Sequence, residues 1–494
     1  MTASPRTTET GAMPRLLLSA TRKSSGKTTV ALGLCAALAL RGRAVRPFKK
    51  GPDYIDPMWL ARAAGASCIN LDFHVMPADE LRAAFAHHAR DDTGECVAVI
   101  EGNKGLFDGM NPDGSDSNAA LAKLLGAPTL LILDARGMTR GAAAHVLGHQ
   151  AFDPQLPLAG VILNRVGGAR HESKLRAALE RHTDVAVLGA VHADRALEIG
   201  ERHLGLITAA EHAAAEEKIE RIAAAIAAQV DLDAVESIAD SADAFASVDA
   251  SFAPRDDPRA DLAIGIARDS AFSFYYADDL RAFAAHGARL IPFDTLRDDA
   301  LPAVDGLYLG GGFPETHASA LSANRAMRDA VKRFVERGGP VYAECGGLMY
   351  LSRRLTLTDG GAHDMAGAIP ARVAMTERPV GRGYVRLVET GDGLWPARAN
   401  AAASPTIPAH EFHYSKLEMR ADDARFAYRV ERGHGLDGCF DGLVHRNALA
   451  SYSHLRHTAA NPWVARFVAF VRACKAASSP TQSPPQSIRR AANA

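Results

Sequence analysis

The chain has 494 residues, with 56 Lys and Arg against 57 Asp and Glu, a formal net charge of −1. That balance lacks the broad basic field of a general nucleic-acid binder, and the longest apolar run, Val30–Leu40, is about eleven residues where a membrane span needs ~20. Six cysteines without C-x-x-C spacing argue against a disulfide framework or zinc ribbon; with no apolar leader at the start, the expected location is the cytoplasm, and the length suggests two or more domains.

In chain order, residues 1–13 are small and polar and read as disordered. A buried strand at Leu16–Ala20 runs into Thr-Arg-Lys-Ser-Ser-Gly-Lys-Thr-Thr29, and the spacing predicts a helix over Thr28–Leu40. Gly26, Lys27 and Thr28 supply a small residue, a cation and a hydroxyl, the set that cradles nucleotide phosphates and Mg²⁺ at a helix N-terminus. The usual first glycine of such a loop falls on Thr21, while Lys23 adds a second lysine; the loop resembles the deviant phosphate loops of the MinD and dethiobiotin synthetase type. Lys49-Lys50-Gly-Pro-Asp53-Tyr54-Ile-Asp56-Pro57 follows, suited to an anionic substrate and a metal, or else to a surface turn with paired charges. Apolar runs predict strands at Cys96–Glu101, Thr129–Asp134 and Ala159–Asn164, and helices at Ala119–Leu125 and Glu172–Arg181, an alternation that indicates a parallel α/β sheet. Glu101 ends its strand where Walker-B-type metal ligands sit, the alternative being a solvated strand end.

Residues 231–260 are acidic, rich in Ser and Ala and weakly apolar, and read as a linker between domains 14–230 and 261–475; residues 476–494 read as a disordered tail. The second block alternates again: LAIGIA, a helix through Asp278–His286, ARLIPF, GLYLGG and PVYAE. Strand Pro340–Glu344 then meets Cys345-Gly-Gly and a predicted helix LMYLSRRL, the layout of a nucleophile elbow that favours thiolate; a buried core thiol is the competing reading. Gly311 and Gly312 in the preceding glycine-rich loop are candidates for an oxyanion hole. His454 is the first-choice base for Cys345, with His410 and His413 behind it.

A phosphate loop joined to a cysteine elbow suggests ATP-driven amidation fed by glutamine. The stretches SSGKTTV, KKGPDYIDP, EGNKGLFDG, GVILNRVG, LGGGFPE, YAECGGLMYL, HEFHYS and SYSHL make the chain resemble the cobyrinic and hydrogenobyrinic acid a,c-diamide synthase family. The resemblance implies an N-terminal dethiobiotin-synthetase-like P-loop domain with a parallel sheet, followed by a flavodoxin-like class I glutamine amidotransferase domain. It implies glutamine hydrolysis at Cys345 and His454, ATP binding by Lys23, Gly26, Lys27, Thr28, Thr29 and Asn164, and Mg²⁺ held by Thr28 and Glu101. Asp53, Tyr54, Asp56 and Asp108 fall in the family's substrate and catalytic stretches. The implied partners are glutamine and an anionic tetrapyrrole, without nucleic acid or membrane, and a homodimer is left open. Two departures stand out. Arg456 occupies the position where many class I glutaminase domains carry a Glu, so the orienting acid is unassigned. Asn103-Lys104 differs from the usual cobyrinate pattern and keeps the same chemistry on sirohaem, or another sirohydrochlorin derivative, as the alternative. A partitioning ATPase would share the phosphate loop but has no need of the thiol.

Overall fold

The computed structural model describes residues 13–90, 96–202, 205–206, 214–246, 259–399, 401, 405–419 and 424–478. The expectations for residues 1–12, for 247–258 of the linker and for 479–494 of the tail lie outside them.

The first half alternates strictly: β1 (Arg15–Ala20), α1 (Lys27–Leu40), β2 (Ala44–Lys50), α2 (Ile55–Ala64), β3 (Ile69–Leu71), α3 (Ala78–His88), β4 (Cys96–Glu101), α4 (Asn118–Leu125), β5 (Thr129–Asp134), α5 (Gly141–Phe152), β6 (Leu158–Val166), α6 (Ala169–His182) and β7 (Val187–His192). The strands form one parallel sheet in the order β3-β2-β4-β1-β5-β6-β7. Strands buried on both faces read as unbroken apolar runs, which is why β4 and β5 fall where the sequence predicts them. Alternate side chains of β1 enter opposite cores: Leu16 and Leu18 pack with α1 and α2, Leu17 with α3 and α4. A two-residue hairpin, β8 (Glu201–Arg202) and β9 (Gly205–Leu206), precedes α7 (Ala215–Gln229) and α8 (Leu232–Asp240).

Helix α8 corrects the linker expectation, which begins at residue 231. Leu232, Val235 and Ala239 are buried in the first core, and the acidic face is tied down by Arg41 and Arg43, with Arg43–Asp240 at 3.0 Å. Those carboxylates, which read as linker composition, are the solvent face of an amphipathic helix capped by Asp231.

The second half contains β10 (Leu262–Ala267), β11 (Phe272–Phe274), α9 (Ala277–Ala285), β12 (Ala288–Phe293), β13 (Gly306–Leu309), β14 (Gly311–Gly312), α10 (Ala318–Ala323), α11 (Arg325–Glu336), β15 (Val341–Glu344) and α12 (Gly346–Leu351). It continues with β16 (Arg354–Thr356), β17 (Ala362–Asp364), β18 (Ala371–Met375), β19 (Gly381–Glu389), β20 (Thr406–His413), β21 (Ser415–Met419), β22 (Arg425–Arg432), β23 (Phe440–His445), β24 (Ala448–Ser451) and α13 (Trp463–Ser478). A nine-stranded sheet runs β12-β10-β13-β15-β24-β23-β22-β19-β20, parallel through β24 and antiparallel beyond it. The helix predicted over LMYLSRRL is a correction: α12 ends at Leu351, and Arg354 already pairs with Asp364 of β17 in a small sheet that includes β18. Helix α13 also carries regular structure three residues into the segment expected to be tail.

The two halves share an apolar cluster. Phe274, Tyr276 and Phe313 of the second half pack with Tyr54 and the α1–α2 core of the first. Among the described residues, no helix is long and apolar enough to cross a membrane.

Candidate active site

β2, β4 and β1 are neighbours, so their carboxyl ends bring together three stretches far apart in sequence. Gly26 takes φ +85, and a Cβ there would lie 2.2 Å from Asn164 Nδ2, which itself donates to the Ser25 carbonyl at 2.8 Å. Asn164 thus braces the phosphate loop from the end of β6. With Thr21 in place of the first glycine, the extra left-handed residue of the loop is Ser24, at φ 62. Lys27 opens α1, is 8% exposed and donates to the Lys104 carbonyl at 2.5 Å. Burial, then the like charge of Lys49, push its ammonium down to about 8. It is a buried cation short of counter-charge, placed where phosphates would supply it. Thr29 follows on α1, half-buried, whereas Lys23 and Asp108 stand exposed at the rim. The Asp108 carboxylate accepts the Gly105 amide at 3.0 Å, shaping the loop that offers Lys27 its carbonyl.

Thr28 Oγ1 donates to Glu101 Oε1 at 2.7 Å, with Asp56 Oδ2 also within reach at 3.2 Å. Lys49, opposite Glu101 in the β2–β4 register, extends its buried Nζ to 2.5 Å from Asp56, 3.1 Å from Glu101 and 3.9 Å from Asp53. Burial opposes its charge, but the three carboxylates prevail and raise its pKa. Burial and then the adjacent Asp56 push Asp53 up to about 7, and burial raises Glu101. Glu101 Oε2 is buried without a hydrogen-bond partner among the described residues.

In the second half, β15 delivers Cys345 to a strained turn, φ 47 and ψ −102, with its amide bonded to the Ser451 carbonyl at 2.7 Å. Cys345 is almost fully buried beside His454, which follows β24. Glu344, directly before the cysteine, lies 3.7 Å from His454 Nδ1, ion-pair range rather than a hydrogen bond. Burial alone would lower the imidazole; Cys345 and then Glu344 overturn that and push His454 up to about 10. Glu344 is fixed by Tyr342 and Tyr308 hydroxyls at 2.5 and 3.2 Å and by the Leu455 amide at 2.9 Å. Glu344 is thus the candidate for the acid that the Arg456 position left unassigned. A carboxylate at a buried strand end, next to the candidate nucleophile and in phase with Tyr342, was the sequence signal for it.

A Cβ on Gly311 would lie 2.6 Å from His454 Cε1, so this glycine loop passes directly beside the candidate base. The two second-choice histidines divide. His410 stacks flat on His454 at 4.8 Å, and burial together with the neighbouring His454 charge lowers its pKa well below the usual value. His413 stacks on Tyr452 at 3.8 Å and donates Nδ1–H to the Ser415 carbonyl at 2.9 Å, a structural commitment.

The two ends meet. The Tyr54 ring, one residue after Asp53, packs 5.3 Å from His454 and stacks on Phe274 at 5.2 Å. Arg456 is buried at the seam: it ion-pairs Asp278, lies 4.0 Å over the Tyr276 ring and donates to the Asn70 carbonyl at 3.1 Å. Its charge therefore serves the domain interface. Tyr384 closes a second contact, donating to Asp72 at 2.8 Å.

Residues 17–207 match the CobQ/CobB/MinD/ParA nucleotide binding domain and residues 263–462 the CobB/CobQ-like glutamine amidotransferase domain. The chain is 45% identical to a cobyrinate a,c-diamide synthase of Magnetococcus marinus over 92% of this chain and 97% of that one. It is 39% identical to the synthase of that name from Methanosarcina acetivorans, over 92% and 94% of the two chains. Against that of Syntrophotalea carbinolica the identity is 40%, over 94% and 99%.

Proposed function

Because the chain belongs to the cobyrinate a,c-diamide synthase family, we propose that its two clusters divide one amidation between them. The protein is a glutamine-hydrolysing carbon–nitrogen ligase of cobalamin biosynthesis, with an N-terminal nucleotide-binding domain. The observation that carries the division of labour is the Tyr54–His454 contact, which sets the carboxylate-rich end of one domain against the thiol of the other.

In the glutaminase domain, the Cys345 sulfur attacks the side-chain carbonyl of glutamine. Gly311 and Gly312 amides face the developing oxyanion, and His454, held as imidazolium, gives its proton to the departing ammonia. Water then releases glutamate from the thioester. In the synthase domain, a substrate carboxylate displaces ADP from the γ-phosphorus of ATP. Ammonia attacks the resulting acyl phosphate and phosphate leaves, giving the amide. Lys27 faces the transferring phosphoryl group, and Lys49 holds Asp53, Asp56 and Glu101 in a partly neutralised array around the acceptor. Thr28 and Glu101 would hold Mg²⁺, which would spread charge over the phosphates; the unpartnered Glu101 Oε2 fits that assignment.

The substrate is cobyrinic or hydrogenobyrinic acid, amidated at its a and c acetates. The test is mass spectrometry of products after incubation with ATP, Mg²⁺ and glutamine. Each amidation lowers the mass by about one dalton, so the corrinoid acid should lose about two. Turnover of sirohaem alone would overturn the substrate and keep the two-site chemistry.

The charge of His454 gives a pH prediction. Its pKa in the fold, about 10, is above the ordinary imidazole value, so the imidazolium persists through neutral pH and is lost only as pH rises through that value. Glutaminase activity should hold to above pH 9 and fall near pH 10. In Glu344→Gln one of the raising charges is gone, so the alkaline limb should move toward neutrality by about one pH unit, with kcat down about tenfold. An unmoved limb would reduce Glu344 to a structural acceptor for Tyr308 and Tyr342.

A further inference from the structure

Strands β19 and β22 pair Glu389 with Tyr428, Val388 with Arg429 and Leu387 with Val430; continued in register, the next pair would be Arg386 with Glu431. A bulge intervenes, and Arg386 instead lies opposite Arg432. The irregularity thus replaces an ion pair across the strands with two like charges, an arrangement that destabilises a sheet. The expelled Glu431 pairs with Arg429 at 3.6 Å, while neither Arg386 nor Arg432 has an ion-pair partner among the described residues. Both side chains are exposed and line a cavity of about 340 Å³ between the domains, whose far wall is Phe73, His74, Met110 and Asn111. The one carboxylate in that cavity, Asp116, is turned into its own loop, where it accepts the Met110 and Asn111 amides at 2.9 to 3.1 Å.

The cavity adjoins the amidation end. Tyr384, on the same face of β19 as Arg386 and about 7 Å along the strand, stands with its hydroxyl 3.8 Å from where a Cβ on Gly51 would be, in the turn that carries Asp53. His74 donates Nε2–H to the Val385 carbonyl at 3.2 Å and so seats this strand against the synthase domain.

We propose that Arg386 and Arg432 of the glutaminase domain form an anion subsite that grips a non-reacting carboxylate arm of the tetrapyrrole while a neighbouring arm is amidated beside Asp53. The inference rests on the tetrapyrrole reading. A polycarboxylate macrocycle carries acid arms around its rim, and a pair of guanidinium groups without an ion-pair partner among the described residues is suited to bidentate capture of one of them. The glutaminase domain thereby becomes part of the substrate site, and substrate binding draws the two domains together.

The experiment is a titration of the full-length protein with cobyrinic acid, followed by absorbance, in the absence of ATP and glutamine. Arg386→Gln/Arg432→Gln should bind roughly tenfold or more weakly, with the KM for ATP and the basal glutaminase rate unchanged and Tm equal to or above wild type. The fully esterified macrocycle should not distinguish variant from wild type. A raised KM for ATP in place of weaker tetrapyrrole binding would assign the pair to phosphate and overturn the proposal. So would unchanged affinity for the acid, or a fall in Tm with affinity kept. Wild-type protein that binds no tetrapyrrole acid would instead defeat the substrate reading, and the subsite with it.

Discussion

Cys345→Ala should reduce glutaminase and glutamine-dependent amidation by about 10⁴-fold or more, while amidation supported by free ammonium stays within a few-fold of wild type. The sulfur is the only atom in the cluster that can form the acyl intermediate: His454 and Glu344 around it are an acid–base and its electrostatic partner. No other thiol can substitute. Cys35 and Cys68 are buried in the first domain, where burial raises their pKa, and the remaining cysteines lie outside the elbow. Alanine meets the same backbone strain at φ 47 that cysteine does, so the fold should survive. Ammonia added from solution bypasses the elbow and reaches the acyl phosphate directly. Equal loss of both activities, with an unchanged melting transition, would mean that the thiol belongs to the amidation chemistry itself and that the two-site scheme fails. Loss of neither would return Cys345 to the core thiol that most free cysteines are.

What could be read in advance follows from how local each signal is. The phosphate loop, the elbow and the buried strands are contiguous patterns, and β4 and β5 appear at the predicted residues because an unbroken apolar run has one comfortable environment, the middle of a parallel sheet. Helix α8 was hidden because half of its meaning lies just after α1: its acids look like linker until Arg41 and Arg43 are placed beside them. Glu344 was hidden in a different way, since a carboxylate ending a strand is commonplace until the fold turns it toward His454. Arg456 could be noticed only as an absent glutamate; its work, joining Asp278 to the Asn70 carbonyl, spans 386 residues of sequence. The Tyr54–His454 contact is of the same kind, joining opposite ends of the chain, and no spacing rule reaches that far.

That contact gives Lys27→Ala its interest. The variant should abolish synthesis, with at least about a 10³-fold fall in kcat/KM, because the ammonium proposed to face the transferring phosphoryl group has no substitute. Lys49 is engaged by three carboxylates, and Lys23 stands exposed at the rim. Removing Lys27 should not unfold the domain. Its charge is disfavoured where it lies, since burial and Lys49 depress its pKa to about 8, and its hydrogen bond is to the Lys104 carbonyl of one loop. Stability therefore changes little, or rises, while ATP turnover stops. Basal glutaminase is the informative readout. Cys345, His454 and Glu344 all belong to the second domain, so hydrolysis of glutamine in the absence of the other substrates should continue at the wild-type rate. Any stimulation of wild type by ATP and tetrapyrrole should vanish, because the contact offered for such a signal is the Tyr54 ring, in the Asp53–Ile55 turn, against His454. If Lys27→Ala silences basal glutaminase as well, with Tm preserved, then the imidazole is held in working position by the synthase domain at all times and the two reactions are obligately coupled. Stimulation that survives intact would separate the contact at Tyr54 from communication altogether.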